Sequence, residues 1–321
     1  MPAWPDRRLL DLLSLEIPII QAPMAGSDSV ELASSVSSAG ALGSLACALL
    51  SPDAVREAVR TLRDGMARRI NLNFFCHTME APDAAANERW KSFLRPHYQQ
   101  WGLDIRTVVE GRLRMPFDAE MCAVVEEIKP EAASFHFGLP VSNVVDRLKQ
   151  RGIRILSSAT SVREAKWLES HGCDAIIAQG LEAGGHRGMF LETDIATQTG
   201  LFALLPQVVN AVSVPVIAAG GIADARGVVA AIALGASGVQ LGTAYLFCPE
   251  ANVSPLYRQA LGQTPENATA LTNLFSGRPA RAILNRYVRQ SGPMSDAPPP
   301  FPYAANLVTP LRAASESAGS L

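Results

Sequence analysis

Residues 154–180 read RILSSATSVREAKWLESHGCDAIIAQG, and this stretch contains the pattern that decides the fold. Its two ends, 154–160 and 174–180, are short apolar runs, and the polar segment between them, 161–171, has helical spacing. Short apolar runs that end at turn residues are typical of buried strands. Two strands that are joined by a crossover helix lie parallel in one sheet. The stretch therefore predicts a strand–helix–strand unit.

The same alternation continues along the chain on both sides of this unit. Further strands are predicted at 18–24, 41–46, 70–75, 133–138, 214–221 and 236–247. Further helices are predicted at 27–40, 51–65, 118–128, 140–151, 199–212 and 224–235. We expect Ser27 or Asp28 to cap the first of these helices, and Ser51 and Pro52 to begin the second. Eight strands that alternate with helices favour a closed (β/α)8 TIM barrel over an open doubly wound α/β sheet.

Two regions interrupt this alternation. Residues 77–117 are polar and have helical spacing at 83–101, which predicts a helical insertion. After 247 the spacing predicts helices at 254–263 and 265–290, followed by a proline-rich extended tail. We therefore expect a barrel domain over 1–247 with its insertion, and a C-terminal extension over 248–321 that packs near the mouth of the active site.

The composition excludes several classes of protein. The 321-residue chain has a net charge of −2 and no long basic run, so a nucleic-acid partner is not expected. Its five cysteines are dispersed without a CxxC pair, which argues against a zinc site or a disulfide framework, and no metal is expected. A signal peptide and a membrane-spanning run are both missing from the sequence pattern, which predicts a cytoplasmic protein without a membrane partner. The pattern is compatible with a monomer and with a homodimer.

The ends of the last two predicted strands carry the most specific local feature. They read PVIAAGGIAD at 215–224 and VQLGTA at 239–244. In a barrel of this kind the site lies at the carboxyl ends of the strands, and phosphate is commonly bound after the last two. Gly220 and Gly221 let the backbone come close to a ligand, while Gly242 and Thr243 add N–H donors and a hydroxyl. These turns predict a phosphate site.

The phosphate belongs either to a cofactor or to a substrate. A Walker-type lysine loop and a GxGxxG turn after the first strand are both missing, so a nucleotide hydrolase and a Rossmann cofactor are poorly supported. FMN is a candidate, because the amides of Gln179 and Asn73 could bond to its ring or ribityl chain. The backbone of Ala22, Pro23 and Met24 could line the isoalloxazine. A barrel that binds only a phosphorylated substrate is the alternative.

The loop after the sixth strand, GLEAGGHRG at 180–188, places His186 among four glycines. Clustered glycines indicate tight turning or a close approach of the backbone to a ligand. Imidazole titrates near neutral pH and suits a general base, although a histidine bonded to a backbone carbonyl is the alternative. His136 lies between Phe135 and Phe137. Alternation along the strand turns both phenylalanines toward the helices and His136 toward the barrel. There His136 is either a substrate ligand or a hydrogen-bonded core histidine.

Seven motifs together resemble those of the nitronate monooxygenases, from about residue 17 to the tail beyond 300. They are QAPMAG (21–26), NLNFFCH (71–77), SFHFGLP (134–140), AQGLEAGGHRG (178–188), PVIAAGGIADARG (215–227), GASGVQLGTA (235–244) and SGRPARAILNR (276–286). The resemblance implies an FMN-dependent barrel enzyme that oxidises alkyl nitronates with O2 to a carbonyl compound and nitrite. Its small-molecule partners would be a nitronate such as propionate-3-nitronate, or a neutral nitroalkane, and O2.

The resemblance also implies roles for individual residues. His186 corresponds to the catalytic base of the family, and His136 to a second histidine that acts near the substrate. Tyr257 and Tyr303 correspond to substrate-binding tyrosines. The implied FMN contacts are Asn73, Gln179, Gly184, Gly221, Gln240, Leu241, Gly242 and Thr243. Gly185 and Gly220 lie beside them, and Ala22, Pro23 and Met24 are the lining predicted above. An FMN-dependent enoyl-acyl-carrier-protein reductase and an NADH:quinone reductase on the same barrel are the alternatives.

Overall fold

The computed structural model describes residues 4–65, 69–109, 111–265 and 268–320. The chain divides into two compact units. We call the first the barrel unit; it consists of Met1–His77, Pro116–Ala183 and Gly188–Asn252. The second unit consists of Thr78–Met115, Gly184–Arg187 and Val253–Leu321.

The described residues form eleven strands and twelve α-helices. The strands are β1 (Ile19–Gln21), β2 (Gly43–Ala46), β3 (Ile70–Phe75), β4 (Ala132–His136), β5 (Arg154–Ala159), β6 (Ala175–Gln179), β7 (Gly185–His186), β8 (Val216–Ala219), β9 (Gly238–Leu241), β10 (Thr269–Thr272) and β11 (Ala280–Ile283). The helices are α1 (Arg8–Leu13), α2 (Val30–Ser38), α3 (Pro52–Asp64), α4 (Ala84–Gln100), α5 (Ala119–Ile128), α6 (Ser142–Gln150), α7 (Val162–Ser170), α8 (Leu201–Val209), α9 (Ala225–Ala233), α10 (Pro255–Gln263), α11 (Arg286–Ser291) and α12 (Ala305–Ser317).

The barrel unit is built on one eight-stranded parallel sheet. Its strand order is β1-β9-β8-β6-β5-β4-β3-β2, so neighbours along the chain are neighbours in the sheet. A parallel bridge between Ile20 and Leu42 joins the two edge strands. The Gln21 side chain strengthens this seam, because it accepts the Ser44 N–H and donates to the Ser44 carbonyl, each at 3.0 Å. The (β/α)8 TIM barrel that the sequence predicts is confirmed.

Helix α1 covers one end of the barrel. Its side chains Leu9, Leu10 and Leu13 belong to the same buried cluster as interior residues of the strands. A Cβ on Gly238, the first residue of β9, would overlap Leu9, which places α1 at the amino end of that strand. The opposite end, where the strands finish, is therefore the end at which a site can form.

Most helices of the barrel unit begin where their capping residues predict. The Ser51 hydroxyl accepts the Ala54 N–H at 3.2 Å, and Pro52 is the first residue of α3. Helix α2 differs from the prediction, because Ser29 rather than Ser27 or Asp28 caps it, with its hydroxyl 2.9 Å from the Leu32 nitrogen. Asp28 is unavailable as a cap because its carboxylate binds backbone N–H groups elsewhere.

The second unit combines helices with a small antiparallel sheet in the order β10-β11-β7. Its core includes Trp90 and Tyr98 of α4, both almost fully buried. The Trp90 indole donates to the Ala304 carbonyl at 3.1 Å, and the Tyr98 hydroxyl donates to the Leu307 carbonyl at 2.6 Å. These bonds join α4 to the start of α12, although more than 200 residues separate them in the chain.

The helix predicted at 265–290 is wrong. The described part of this segment contains the β10–β11 hairpin, with Thr272 opposite Ala280, followed by α11. Gly277 in the connecting turn has φ +88°, a conformation that interrupts a right-handed helix. Strand β11 also pairs with β7, so its sheet partner lies far away in the sequence, where local spacing carries no signal.

Two further boundaries differ from prediction. The strand predicted at 236–247 ends at Leu241, and a 3-10 helix, Thr243–Phe247, follows it. The tail predicted as extended contains α12, which begins at Ala305 and continues through Pro310. Burial of Val308 and Leu311 stabilises this helix against the backbone bond that proline removes. None of the helices in the described ranges has the length and apolar character needed to cross a membrane.

Candidate active site

The carboxyl ends of β8 and β9 carry the glycine turns predicted as a phosphate site. The backbone N–H groups of Gly221 and Ile222, after β8, donate to no other described residue, and the same holds for Gly242 and Thr243, after β9. Strands β8 and β9 are hydrogen-bonded neighbours, so the two turns lie side by side. Backbone N–H groups grouped at strand ends form a donor site for an anion. This edge can therefore hold a phosphate group.

Gly220 and Gly242 lack a side chain for different reasons. Gly220 has φ +119°, and a Cβ there would lie 3.0 Å from the Ala183 nitrogen, so folding requires glycine at this position. Gly242 has φ −113°, and a Cβ there would lie 3.6 Å from the Ala22 Cβ, an ordinary contact distance. The chain leaves room for a side chain at 242, as expected where a ligand approaches the backbone.

The end of β1 completes this edge of the barrel. The Ala22 N–H donates to the Leu241 carbonyl at 2.8 Å, and Pro23 and Met24 follow directly. The Gln240 side-chain oxygen is buried and accepts no hydrogen bond from any described residue. An unsatisfied buried polar atom costs about 1–3 kcal/mol, which an N–H donor on a ligand would offset. The residues present therefore fit a ligand with a phosphate and an N–H group.

Helix α9, which follows the β8 turn, begins at a capping carboxylate. The Asp224 carboxylate accepts the Arg226 N–H at 2.9 Å and the Gly227 N–H at 3.4 Å, so it caps α9. A carboxylate in this position occupies first-turn donors and offsets the positive end of the helix. Asp224 therefore reduces what α9 can contribute to an anion at the β8 turn.

Asn73 and Gln179, the two amides predicted to contact a cofactor, are both buried and bonded to the chain. The Asn73 Nδ2 donates to the Ser134 Oγ at 2.9 Å on the neighbouring strand β4. The Gln179 Oε1 accepts the Gly188 N–H at 2.8 Å, which ties the end of the GLEAGGHRG loop to β6. These bonds align strand ends and loop around the candidate site.

His136, at the end of β4, is held by its neighbours on the barrel. Its Nδ1 lies 3.1 Å from the Ser158 Oγ on β5. Phe135 packs outward as alternation predicts, but the same prediction for Phe137 is wrong. Strand β4 ends at His136 and Phe137 has φ +70°, so alternation no longer applies, and its ring lies 4.6 Å from the His136 ring.

His186 belongs to the second unit, where it is the last residue of β7 opposite Ala280 of β11. Its Nε2 lies 2.7 Å from the Ser276 Oγ, and its ring meets the Phe301 ring edge-on at 5.4 Å. Gly185 before it has φ +75°, and Gly184 and Gly185 are both exposed. The strand pair and these contacts fix a half-buried imidazole. The sequence did not identify Ser276 as its partner.

The two predicted substrate tyrosines have different surroundings in the second unit. The Tyr303 hydroxyl donates to the Glu80 carbonyl at 2.7 Å, so it is bonded to the chain itself. Tyr257 lies on α10, where burial raises the pKa of its hydroxyl and the positive charge of Arg312 opposes that shift. The Tyr257 hydroxyl can therefore act as a hydrogen-bond donor, whereas the Tyr303 hydroxyl already donates its hydrogen to Glu80.

Sequence reasoning missed Glu164, a fully buried carboxylate on α7. Its Oε2 accepts the N–H and the hydroxyl of Thr160 at 2.7 and 2.8 Å. Its Oε1 accepts the N–H groups of Phe190 and Leu191 at 2.6 and 3.1 Å. Glu164 thus joins the end of β5 to the chain that follows the GLEAGGHRG loop. The capping-box pattern SVRE, which begins at Ser161, is the signal that could have identified it.

Sequence reasoning also treated Asp28 only as a possible cap. Its Oδ2 accepts the Ala46 N–H at 2.7 Å and the Met24 N–H at 3.1 Å, which joins the turn after β1 to the end of β2. Burial raises the pKa of the Asp28 carboxyl to about 6, against the opposing effect of these N–H donors. Burial, followed by the charge of Asp28, also raises the pKa of the Cys47 thiol.

Asp28→Asn is expected to stabilise the protein at pH 8 by about 1–3 kcal/mol, because it removes a buried charge. Both backbone donors bind one oxygen of Asp28, so an amide oxygen can accept both. The wild-type carboxyl binds its proton more tightly when folded, so stability falls as pH rises from about 4 to about 6. Urea unfolding at several pH values measures this. A gain at pH 8 that persists unchanged at pH 4 would contradict the assignment to charge.

Comparison with known proteins decides the family. The family model described as nitronate monooxygenase matches residues 6–321. The chain belongs to the nitronate monooxygenase family. A relative named nitronate monooxygenase from Paraburkholderia phytofirmans is 42% identical, over 98% of this chain and 86% of its own length. A probable nitronate monooxygenase from Staphylococcus saprophyticus is 38% identical, over 98% and 88%. The solved nitroalkane oxidase of Streptomyces ansochromogenes is 36% identical, with a TM-score of 0.85, over 97% of this chain and 88% of that one.

Membership of the nitronate monooxygenase family confirms the prediction made from the seven motifs. It makes the chain an enzyme, and an oxidoreductase that acts on nitronates or nitroalkanes. The structural similarity to the nitroalkane oxidase covers nearly the whole chain.

Proposed function

We propose that this chain uses bound FMN and O2 to oxidise alkyl nitronates, propionate-3-nitronate among them, to a carbonyl compound and nitrite. The observation that carries the proposal is the group of N–H donors after β8 and β9, which suits the phosphate of a cofactor. In the overall reaction, two nitronate ions and one O2 give two molecules of the carbonyl compound and two nitrite ions, so atoms and charge balance. The reaction therefore balances without NADH or another reductant.

The barrel unit offers a place for each part of FMN. The backbone of Gly221, Gly242 and Thr243 would hold the phosphate, and the buried Gln240 oxygen would accept an N–H of the ring. The backbone of Ala22, Pro23 and Met24 would line the isoalloxazine, with Leu241 beside them. Asn73 and Gln179 would position the strand ends. Gly184, Gly185 and Gly220 would shape the loops. When bound, FMN supplies an electron acceptor for the nitronate.

His186 is proposed as the base that removes the acidic proton next to the nitro group of a neutral nitroalkane. Imidazole has the affinity for a proton that this step needs near neutral pH. Ser276 and Phe301 hold the ring, so the step does not depend on a side chain that must first be ordered. When the substrate is already a nitronate, a protonated His186 would pair with its negative charge. Tyr257, Tyr303 and His136 are proposed as substrate contacts.

An oxygen-uptake assay with propionate-3-nitronate, and then with NADH, tests the proposal. The purified yellow protein is expected to consume O2 and release nitrite with the nitronate, and NADH is not expected to reduce its flavin. Flavin reduction by NADH, with no response to nitronate, would replace the proposal by a reductase. Turnover of a crotonyl thioester or of a quinone would then identify which reductase it is.

Gly242→Asp is expected to weaken FMN binding by about tenfold or more, because a carboxylate at contact distance repels the phosphate. The fold is expected to survive, since a Cβ at 242 meets no atom closer than 3.6 Å. Gly242→Asn is the matched control, because it has the same size without the charge and should bind FMN more tightly than the aspartate variant. Flavin absorbance and ultrafiltration measure occupancy. Full retention of FMN in Gly242→Asp would place the phosphate elsewhere.

A further inference from the structure

The hydrogen bond between Ser158 and His136 bears on which ring nitrogen of His136 carries hydrogen, as well as on the position of the ring. Ser158 is almost fully buried at the end of β5, and its Oγ has one hydrogen-bond partner among the described residues, the His136 Nδ1 at 3.1 Å. The adjacent serine is different, because the Ser157 hydroxyl reaches the carbonyls of Phe135 and Gly138 at 3.0 and 2.9 Å. Among the described residues, Ser158 therefore has only the imidazole as a hydrogen-bond partner.

The hydroxyl hydrogen of Ser158 then decides the direction of this bond. If the His136 Nδ1 carried a hydrogen and donated it, the buried hydroxyl hydrogen would have no acceptor among the described residues. If the hydroxyl donates to Nδ1, both groups are satisfied. Buried polar groups are nearly always hydrogen-bonded, so the second arrangement is favoured. In a neutral imidazole the proton is then on Nε2.

Gly188 keeps the ring against Ser158. A Cβ at 188 would lie 2.9 Å from the His136 Cε1 and 2.9 Å from the Ser158 Cβ, closer than side chains pack. The absence of this one atom lets the backbone at Gly188 pass close to the His136–Ser158 pair. The Gly188 N–H is in turn held by Gln179, so the backbone that confines the ring is itself fixed. The contact thus belongs to a tightly packed part of the barrel unit.

We infer that Ser158 is a positioning residue that holds His136 in the Nε2–H form, so that His136 acts as a hydrogen-bond donor and not as a second base. This role rests on the proposed function. An N–H donor suits the oxygens of a nitronate, which carry the negative charge of the substrate. The two histidines then have separate tasks. His186 removes a proton where one must be removed, and His136 binds the charged nitro group.

The tautomer can be measured without turnover. Long-range 1H–15N correlation spectra of the 15N-labelled holoenzyme report which ring nitrogen carries hydrogen, and His136→Gln identifies the His136 signals. We expect the Nε2–H pattern in the wild type and in Ser158→Thr, and a changed pattern in Ser158→Ala. Ser157→Ala is the matched control, because its hydroxyl bonds carbonyls, and it should leave the His136 signals unchanged. An Nδ1–H pattern in the wild type, or an unchanged pattern in Ser158→Ala, would overturn the inference.

Kinetics test the second half of the inference separately. Ser158→Ala is expected to raise KM for a nitronate by about tenfold with a smaller change in kcat, because a bond made throughout the reaction is weakened. Ser158→Thr should restore KM. If the wild type shows the Nε2–H pattern but turns over no nitronate, the proposed function is wrong and the assignment of the hydrogen to Nε2 of His136 is retained. If nitronate is turned over and Ser158→Ala leaves KM unchanged, the donor role fails and the proposed function stands.

Discussion

His186→Asn is expected to lower kcat/KM for a neutral nitroalkane such as nitroethane by about 10²–10⁴-fold, the usual contribution of a general base. Asparagine retains a polar group near Ser276 but cannot accept the proton from carbon. Bound FMN should be retained, because its proposed phosphate and ring contacts belong to the barrel unit. Oxygen uptake with nitroethane measures the rate, and flavin absorbance measures the cofactor content.

The same variant should lose less activity toward ethyl nitronate, which has already lost its proton. This difference between the two substrates separates a base from a residue that only shapes the site. His171→Asn is the matched control, because His171 is exposed and stacks on Trp167 at the end of α7. Its activity should equal that of the wild type. Unchanged turnover of nitroethane by His186→Asn would remove His186 from the mechanism.

Glu164→Gln is expected to lower the free energy of unfolding by about 2–5 kcal/mol, because it leaves buried N–H groups without an acceptor. The donors to Glu164 are divided between its two oxygens, with Thr160 on one and Phe190 and Leu191 on the other. The glutamine side chain keeps one acceptor oxygen and places an NH2 group against the N–H donors that bonded to the other oxygen of Glu164. Urea unfolding, followed by circular dichroism at fixed FMN concentration, measures the loss.

Glu169→Gln on the same helix is the matched control for this prediction. The Glu169 Oε1 alone accepts the N–H groups of Ser213 and Val214, at 2.6 and 3.2 Å. A glutamine oxygen can accept both, so a loss below about 1 kcal/mol is expected. Equal losses in the two variants would show that the number of acceptor oxygens does not decide the stability of α7.

The barrel could be predicted because its signals are local. Strand β3 has the predicted limits, 70–75, and α3 begins at the predicted Ser51 cap, since apolar spacing and caps act within a few residues. The glycines after β8 and β9 were also found from the sequence, because strand ends in a barrel meet at one edge whatever the details of packing. The family followed from motifs in the same loops.

The partners of the candidate site residues could not be predicted in this way. Ser276 lies 90 residues from His186 in the sequence, and the pairing of β11 with β7 brings its hydroxyl within hydrogen-bond distance of the imidazole. Local spacing instead predicted a helix over the segment that forms β11. Glu164 was not identified from the sequence and Asp28 was treated only as a possible helix cap, since their hydrogen-bond partners lie on chain segments that are distant in sequence.

The amino-acid sequence by itself thus determined the order of strands and helices in the barrel, the end of the strands at which a site was predicted, and the family. Those properties follow from apolar periodicity, capping residues and glycine turns, which depend on neighbours in the chain. Only the tertiary structure decided which hydroxyl holds each histidine and which buried carboxylate joins the loops. Those choices depend on which groups are left without water when distant segments pack, because a buried polar group must find its partner inside the protein.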